Sequence, residues 1–314
     1  MSGLLHRTAW TCLLALSVAG AALAHSGEFS FGVIAQAGQM RETAPLRQAI
    51  AAADADNLAF VVVNGVKPAT EPCSDAIYEQ RKNILDKSKN GLMVSLAAGD
   101  WTDCQDRQQR PAAVERLNRL RELFFEDEFS LGASRLPLIR QSASTIFRSY
   151  AENARWEIDR ILFATVNLPA NNNNFLPGAG RNSEFEDRQI ATREWLERIF
   201  SIAQRKKMAG IVLFSDGDAF NLSNQATLFS MNRKRDGYRE VRRNLSTLAS
   251  RFAGKVLLIH GENAKENEEP PGAIVWQTNL GVLAAGNAGS SGWFKVNVRP
   301  AAADLFQVIP DPAD

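Results

Sequence analysis

Any catalytic reading of this chain has to be built around His260. Of the 314 residues only three are His, and two of them, His6 and His25, lie near the start. His260 closes an apolar run that begins at Lys255, where it could share proton transfer with Asp100 as a general acid/base pair or hold a single metal ion poorly. An imidazole at the end of a buried strand equally suits packing and a hydrogen bond, with no chemistry. Asp216 and Asp218 flank Gly217, which offers carboxylate oxygens to a hard cation and also suits a plain turn. Asn171, Asn172, Asn173 and Asn174 form a dense set of amide donors and acceptors, fit to bind a sugar or line a cleft, or to satisfy the backbone of a surface loop. No Gly-rich phosphate loop and no Gly-x-Ser-x-Gly elbow occurs, and no Ser has the context of a nucleophile partnered by His260.

Charge narrows the partners. Lys and Arg number 36 against 35 Asp and Glu, so no net field favours a nucleic-acid backbone or an anionic membrane. The cluster Arg233, Lys234, Arg235, Arg239, Arg242 and Arg243 reads as the solvated face of a helix. The tryptophans Trp101, Trp156, Trp195, Trp276 and Trp293 have no stacking-platform spacing and read as core.

The first two dozen residues form a unit of their own. His6 and Arg7 precede an apolar run from Ala9 to Leu23, which ends in Ala22-Leu23-Ala24, the small-x-small pattern of a secretory cleavage site. Residues 1–24 are therefore expected to be a signal peptide and 25–314 a single exported domain. An uncleaved anchor is the alternative, weakened by Ser17 and Gly20. No other stretch approaches membrane-spanning length. Loss of the leader removes Cys12 and leaves Cys73 and Cys104, an even pair in a compartment that permits disulfides.

These residues need a scaffold. Phe29 to Gln36, Leu58 to Val63 and Leu92 to Ala97 read as strands, the second fully buried. Between them, Leu46, Ile50 and Ala53 recur at helical spacing, and Ser74 to Ser88 follows Ile77, Tyr78, Arg81 and Ile84 with Ser74 as a cap. Strands separated by such crossovers argue an α/β fold with parallel pairing. Pro111 to Phe125 is an amphipathic helix with Pro at its start. Ser144 to Tyr150, Ala154 to Asp159 and Ile161 to Leu168 read as successive antiparallel strands. Helices over Glu184 to Lys207 and Asp236 to Phe252 then alternate with strands over Ala209 to Phe214 and Lys255 to His260. Three β runs close the chain: Ala273 to Leu283, Gly292 to Val298 and Leu305 to Ile309.

The order of elements and the residues at the strand ends resemble the calcineurin-like metallophosphoesterases. More narrowly they resemble a branch of exported bacterial proteins. The carrying segments are Cys73-Ser74-Asp75, Trp101-Thr102-Asp103-Cys104, Glu152-Asn153-Ala154-Arg155-Trp156, Asn171 to Asn174, and Arg181 to Arg188. The resemblance runs over nearly the whole chain after the leader. It implies a four-layer sandwich of two mixed β-sheets flanked by α-helices, with the site at the carboxyl ends of the strands. It also implies that Cys73 and Cys104 close neighbouring βα units.

Catalytic members of that family hold two cations about 3.5 to 4 Å apart on Asp, His and Asn side chains, which polarise the phosphoryl group and acidify a bound water. The resemblance places the first Asp-x-His at Gln36 and Gly38, and the Gly-Asp of the bridging carboxylate at Gly65-Val66. The Gly-Asn-His-Asp/Glu segment falls at Ala97-Ala98-Gly99-Asp100, with Gly99 where a ligand is expected. A strand-end His gives way to Ser215-Asp216-Gly217-Asp218. After His260, the second His of the last motif gives way to Glu262-Asn263-Ala264. The expectation is an exported protein without cofactor that keeps the fold for a binding or structural role, with a small-molecule or envelope ligand. The alternative is a divalent-metal hydrolase rebuilt around Asp100, Asp216, Asp218 and His260.

Overall fold

The computed structural model describes residues 27–35, 43–176, 182–220, 236–263, 272–286, 291–310 and 312. Residues 1–24, expected to be a signal peptide, lie outside them, as do Gln36, Gly38, Ala264 and the basic residues 233–235. In chain order the first half runs β1 (Phe29–Ile34), α1 (Thr43–Ala55), β2 (Val61–Asn64), α2 (Asp75–Leu85), β3 (Leu92–Ser95), α3 (Ala98–Trp101), α4 (Ala113–Phe124), β4 (Ile139–Arg140), β5 (Ala154–Ile158) and β6 (Ile161–Thr165). It continues with α5 (Ala170–Asn173), α6 (Ser183–Arg205), β7 (Gly210–Ser215), α7 (Arg239–Arg251), β8 (Lys255–His260), β9 (Val275–Gln277), β10 (Leu280–Ala284), β11 (Phe294–Val298) and β12 (Phe306–Ile309).

Two mixed sheets result, a five-stranded one in the order β12-β11-β1-β2-β3 and a seven-stranded one in the order β4-β5-β6-β7-β8-β10-β9. β1, β2 and β3 pair in parallel, as do β6, β7, β8 and β10. Period-2 alternation explains why these strands are apolar throughout: each faces a core on both sides. Val62 of β2 and Phe214 of β7 point between the sheets. Val61 and Val63 point to the layer of α1, α2 and α4, and Ile211 and Leu213 to that of α6 and α7. The architecture is therefore four layers, helices, sheet, sheet, helices. Aromatic rings fill the centre: Phe31 stacks on Phe60 at 5.1 Å, and Phe60 meets Phe163 edge-on at 4.8 Å, geometries that add to plain area burial.

One predicted strand is absent. Ser144 to Tyr150 forms a chain of turns in which Ser144, Phe147 and Tyr150 each donate a backbone N–H to the carbonyl three residues back. The apolar residues there do not share a face, since Ile146 is 81% exposed while Tyr150 lies under the Arg121 guanidinium. The strand that does precede β5 is the two-residue β4, paired antiparallel with it. Ser74 caps α2 through its side chain to the Ile77 N–H. Among the described residues no helix is long and apolar enough to cross a membrane.

Candidate functional site

All parallel strands of both sheets end on one side of the sandwich, so the segments after β2, β3, β6, β7 and β8 converge there. In open α/β sheets this is where ligands bind. In this protein the convergence is held by hydrogen bonds between the two sheets. Asn64, ending β2, donates from Nδ2 to the Ser215 carbonyl at the end of β7, 3.0 Å away and buried. Asp216 Oδ2 accepts both the Ala98 N–H that opens α3 and the Ala170 N–H after β6, each at 2.7 Å. Gly261 N–H reaches the carbonyls of Ser215 and Asp216 at 3.1 and 3.0 Å. A Cβ at Gly261 would lie 2.0 Å from Asn64 Oδ1, so only glycine lets β8 approach this closely.

Asp100 is the second hub. It is fully buried. Oδ1 accepts from the N–H groups of Val66 and Lys67 at 2.9 and 3.1 Å, and Oδ2 from that of Ala97 at 2.8 Å. Beside it Lys67, also fully buried, donates from Nζ to the carbonyls of Pro68, Glu71 and Gly99 at 3.1, 3.0 and 2.6 Å. Burial pushes the Lys67 ammonium below its ordinary value, while Asp100 and Glu71 pull it back up. The Val66 isopropyl group packs into the core beneath α2 and α4. Burial raises Asp100 to about 6 against its three N–H donors, and raises Asp216 to about 6, with the Asp100 charge adding to the effect.

Asp218 and His260 come together at the rim. His260 Nε2 stands 3.8 Å from Asp218 Oδ2, Asp218 Oδ1 accepts the Phe220 N–H at 2.7 Å, and the Asp218 N–H points to Glu262 Oε2 at 3.4 Å. Among the described residues no three His, Cys, Asp or Glu side chains group tightly enough to hold a metal ion. Cys73 and Cys104 form a disulfide with Cα atoms 5.7 Å apart, inside the reach such a bond requires.

The Asn turn lies against the same end. Asn171 to Asn174 all adopt left-handed backbone, with φ of 61, 58, 57 and 53°, a region Asn enters more readily than other non-glycine residues. Three of the four amides are engaged within the fold. Asn172 Oδ1 accepts the Gly237 N–H at 2.8 Å, Asn173 Nδ2 donates to the Gly237 carbonyl at 3.0 Å, and Asn174 Nδ2 donates to Glu184 at 3.0 Å. Arg188, itself buried, donates to Asn173 Oδ1, to the Asn173 carbonyl at 2.9 Å and to Glu184. Only Asn171 is exposed.

Sequence reasoning missed Lys67 and Glu71, because a lone charged residue in a loop carries no spacing signal, and it held Arg188 only as the end of a resembling segment, with no role assigned. It also missed the acceptors' true partners, which are main-chain N–H groups. No protein-family model and no curated protein matches this chain.

The two N–H groups on Asp216 share a single oxygen, which makes a sharp test possible. Asp216→Asn keeps that oxygen and removes the charge, so it should preserve the fold, whereas Asp216→Ala leaves two half-buried donors without their acceptor and should lose about 1–3 kcal/mol. The charge has a pH signature. With the folded pKa near 6 above the ordinary carboxylate value of about 3.9, the folded state holds a proton that the unfolded state releases. Its stabilising share is complete below about pH 4, falls as pH rises through 6, and is gone above that. Urea midpoints measured from pH 4 to 8 should fall across that window in the parent protein and fall less in Asp216→Asn. Equal slopes in the two proteins would remove Asp216 as their source.

Proposed function

We propose that this chain is an exported protein of calcineurin-like metallophosphoesterase descent that acts by binding, its two-metal centre replaced by a hydrogen-bonded clasp between the sheets. The observation that carries the reading is the use made of the strand-end carboxylates. A two-metal centre needs several oxygen and nitrogen lone pairs aimed at one point. Here both Asp216 contacts and all three Asp100 contacts are to backbone N–H groups, and the neighbouring cation is the Lys67 ammonium. The bridging position is Val66, which has neither charge nor lone pair, and Gly99 offers no side chain at all. The residues present do not fit a pair of divalent cations. Export is supported by the apolar leader with its Ala22-Leu23-Ala24 end and by the Cys73–Cys104 disulfide.

A second reading, a hydrolase rebuilt around Asp100, Asp216, Asp218 and His260, has one observation in its favour: the His260–Asp218 pair at 3.8 Å, beside Glu262. One experiment decides between the two. The chain lacking residues 1–24 is equilibrated with Mn²⁺, Fe²⁺ or Zn²⁺, desalted, and assayed for bound metal and for turnover of an aryl phosphate monoester and diester. The expected result is less than one metal per chain and turnover at the buffer rate. Two metals per chain with turnover lost in His260→Ala would overturn the binding reading.

A further inference from the structure

The outer face of the seven-stranded sheet is covered by α6 and α7, and between them runs a groove of about 430 Å³. Leu196 and Val241, both buried, lie at its base. Arg193 enters from α6. From α7 come Glu240, Arg243 and Asn244, which share one face because they stand at i, i+3 and i+4. Three other arginines of these two helices have carboxylate partners: Arg188 pairs with Glu184, Arg198 with Glu194 and Arg242 with Asp236, whereas Arg205, Arg239 and Arg251 have none among the described residues but lie outside the groove. Arg193 and Arg243 have none among the described residues. Asn244 Nδ2 is buried and has no acceptor, a condition rare for a polar atom in a folded protein.

A groove that gathers unmatched donors from two facing helices above an apolar base asks for an acceptor with an apolar body. We propose that the groove between α6 and α7 binds a small organic anion with one carboxylate or phosphoryl head. The head is held between the Arg193 and Arg243 guanidinium groups, whose fork of N–H donors matches two oxygens of such a group, and it accepts from Asn244 Nδ2. The apolar body rests on Leu196 and Val241, following the usual division of labour in small-molecule sites. Glu240 on the same face repels a second negative group, which selects a singly headed ligand over a polyanion. The inference is independent of what happens at the strand ends, because it needs neither a metal nor hydrolysis.

Isothermal titration of the chain with phenylphosphonate and, separately, with benzoate presents the same ring on the two head groups. Saturable binding of at least one of them is expected, at one per chain and with Kd on the order of 1 mM or tighter. The stronger of the two identifies the head group. Arg193→Gln and Arg243→Gln should each weaken it about tenfold or more, and Asn244→Leu should weaken it as well. Arg251→Gln, exposed at the end of α7 and outside the groove, should leave it unchanged. Thermal melts matching the parent protein confirm that each variant is folded. No saturation of either probe below about 20 mM, or binding that survives both arginine substitutions, would overturn the proposal and leave the groove a hydrated helix face.

Discussion

Asp100→Ala should destabilise the protein by about 3–6 kcal/mol, and Asp100→Asn should not rescue it. Each buried donor left without an acceptor costs roughly 1–3 kcal/mol, and alanine abandons three: the N–H groups of Val66, Lys67 and Ala97. It also strips the Lys67 ammonium of the carboxylate that most raises its pKa against burial, and an uncompensated buried charge is expensive. Asparagine fails for a geometric reason. Asp100 uses both of its oxygens as acceptors, so one end of an amide would set an NH₂ group against a backbone N–H. Asp216 uses one oxygen only, which is why the same isosteric change is expected to be mild there and severe at Asp100. Urea unfolding followed by tryptophan fluorescence measures both, and an Asp100→Asn protein within 1 kcal/mol of its parent would sink the argument.

The contrast between these two aspartates also marks where sequence reading reached and where it stopped. The α/β class with parallel pairing was legible, because strands such as β2 and β7 are apolar at successive positions and the helices between them carry one apolar stripe, whereas the four-layer arrangement of two sheets came only as what the family resemblance implies. Tertiary burial on both faces leaves that trace in composition alone. Ser144 to Tyr150 was misread because local apolar content says nothing about which way each side chain turns. At the strand ends, Asp100, Asp216, Asp218 and His260 stood out by residue type, and the structure does bring their segments together. Their roles were not legible. A carboxylate that accepts from Ala97, Ala98 or Ala170 has a main-chain partner, and the main chain is the same in every sequence. Likewise the Asn171 to Asn174 run signalled unusual backbone by its composition, yet its pairing with Gly237, Glu184 and Arg188 depends on α6 and α7 arriving from later in the chain.

Removing the Cys73–Cys104 bridge should have an effect of similar size, with a different origin. The two residues are 31 apart in sequence, and closing a loop of that length stabilises by roughly 3–4 kcal/mol on the chain-entropy account, since it restricts the unfolded chain. The bridge also has a local consequence in the folded state. Cys73 stands immediately before the Ser74 cap of α2, and Cys104 follows α3, so the bond ties the loop holding Lys67 and Glu71 to the turn holding Asp100. Tyr78, buried under the same turn, donates to the Asp100 carbonyl at 2.7 Å and lies 3.8 Å from Cys104 Sγ, so the bond, the phenol and the carboxylate hold one segment in common. A Cys73→Ser/Cys104→Ser protein should therefore melt lower by on the order of 10 °C, and reduction of the parent by dithiothreitol should reproduce the shift. Groups that secure the same segment are not independent, so Asp100→Ala added to the double serine variant should lose less than the two separate losses combined. Full additivity in that cycle would mean the disulfide acts on the unfolded chain alone, and a melting point unchanged by the serine pair would show that the bond contributes nothing.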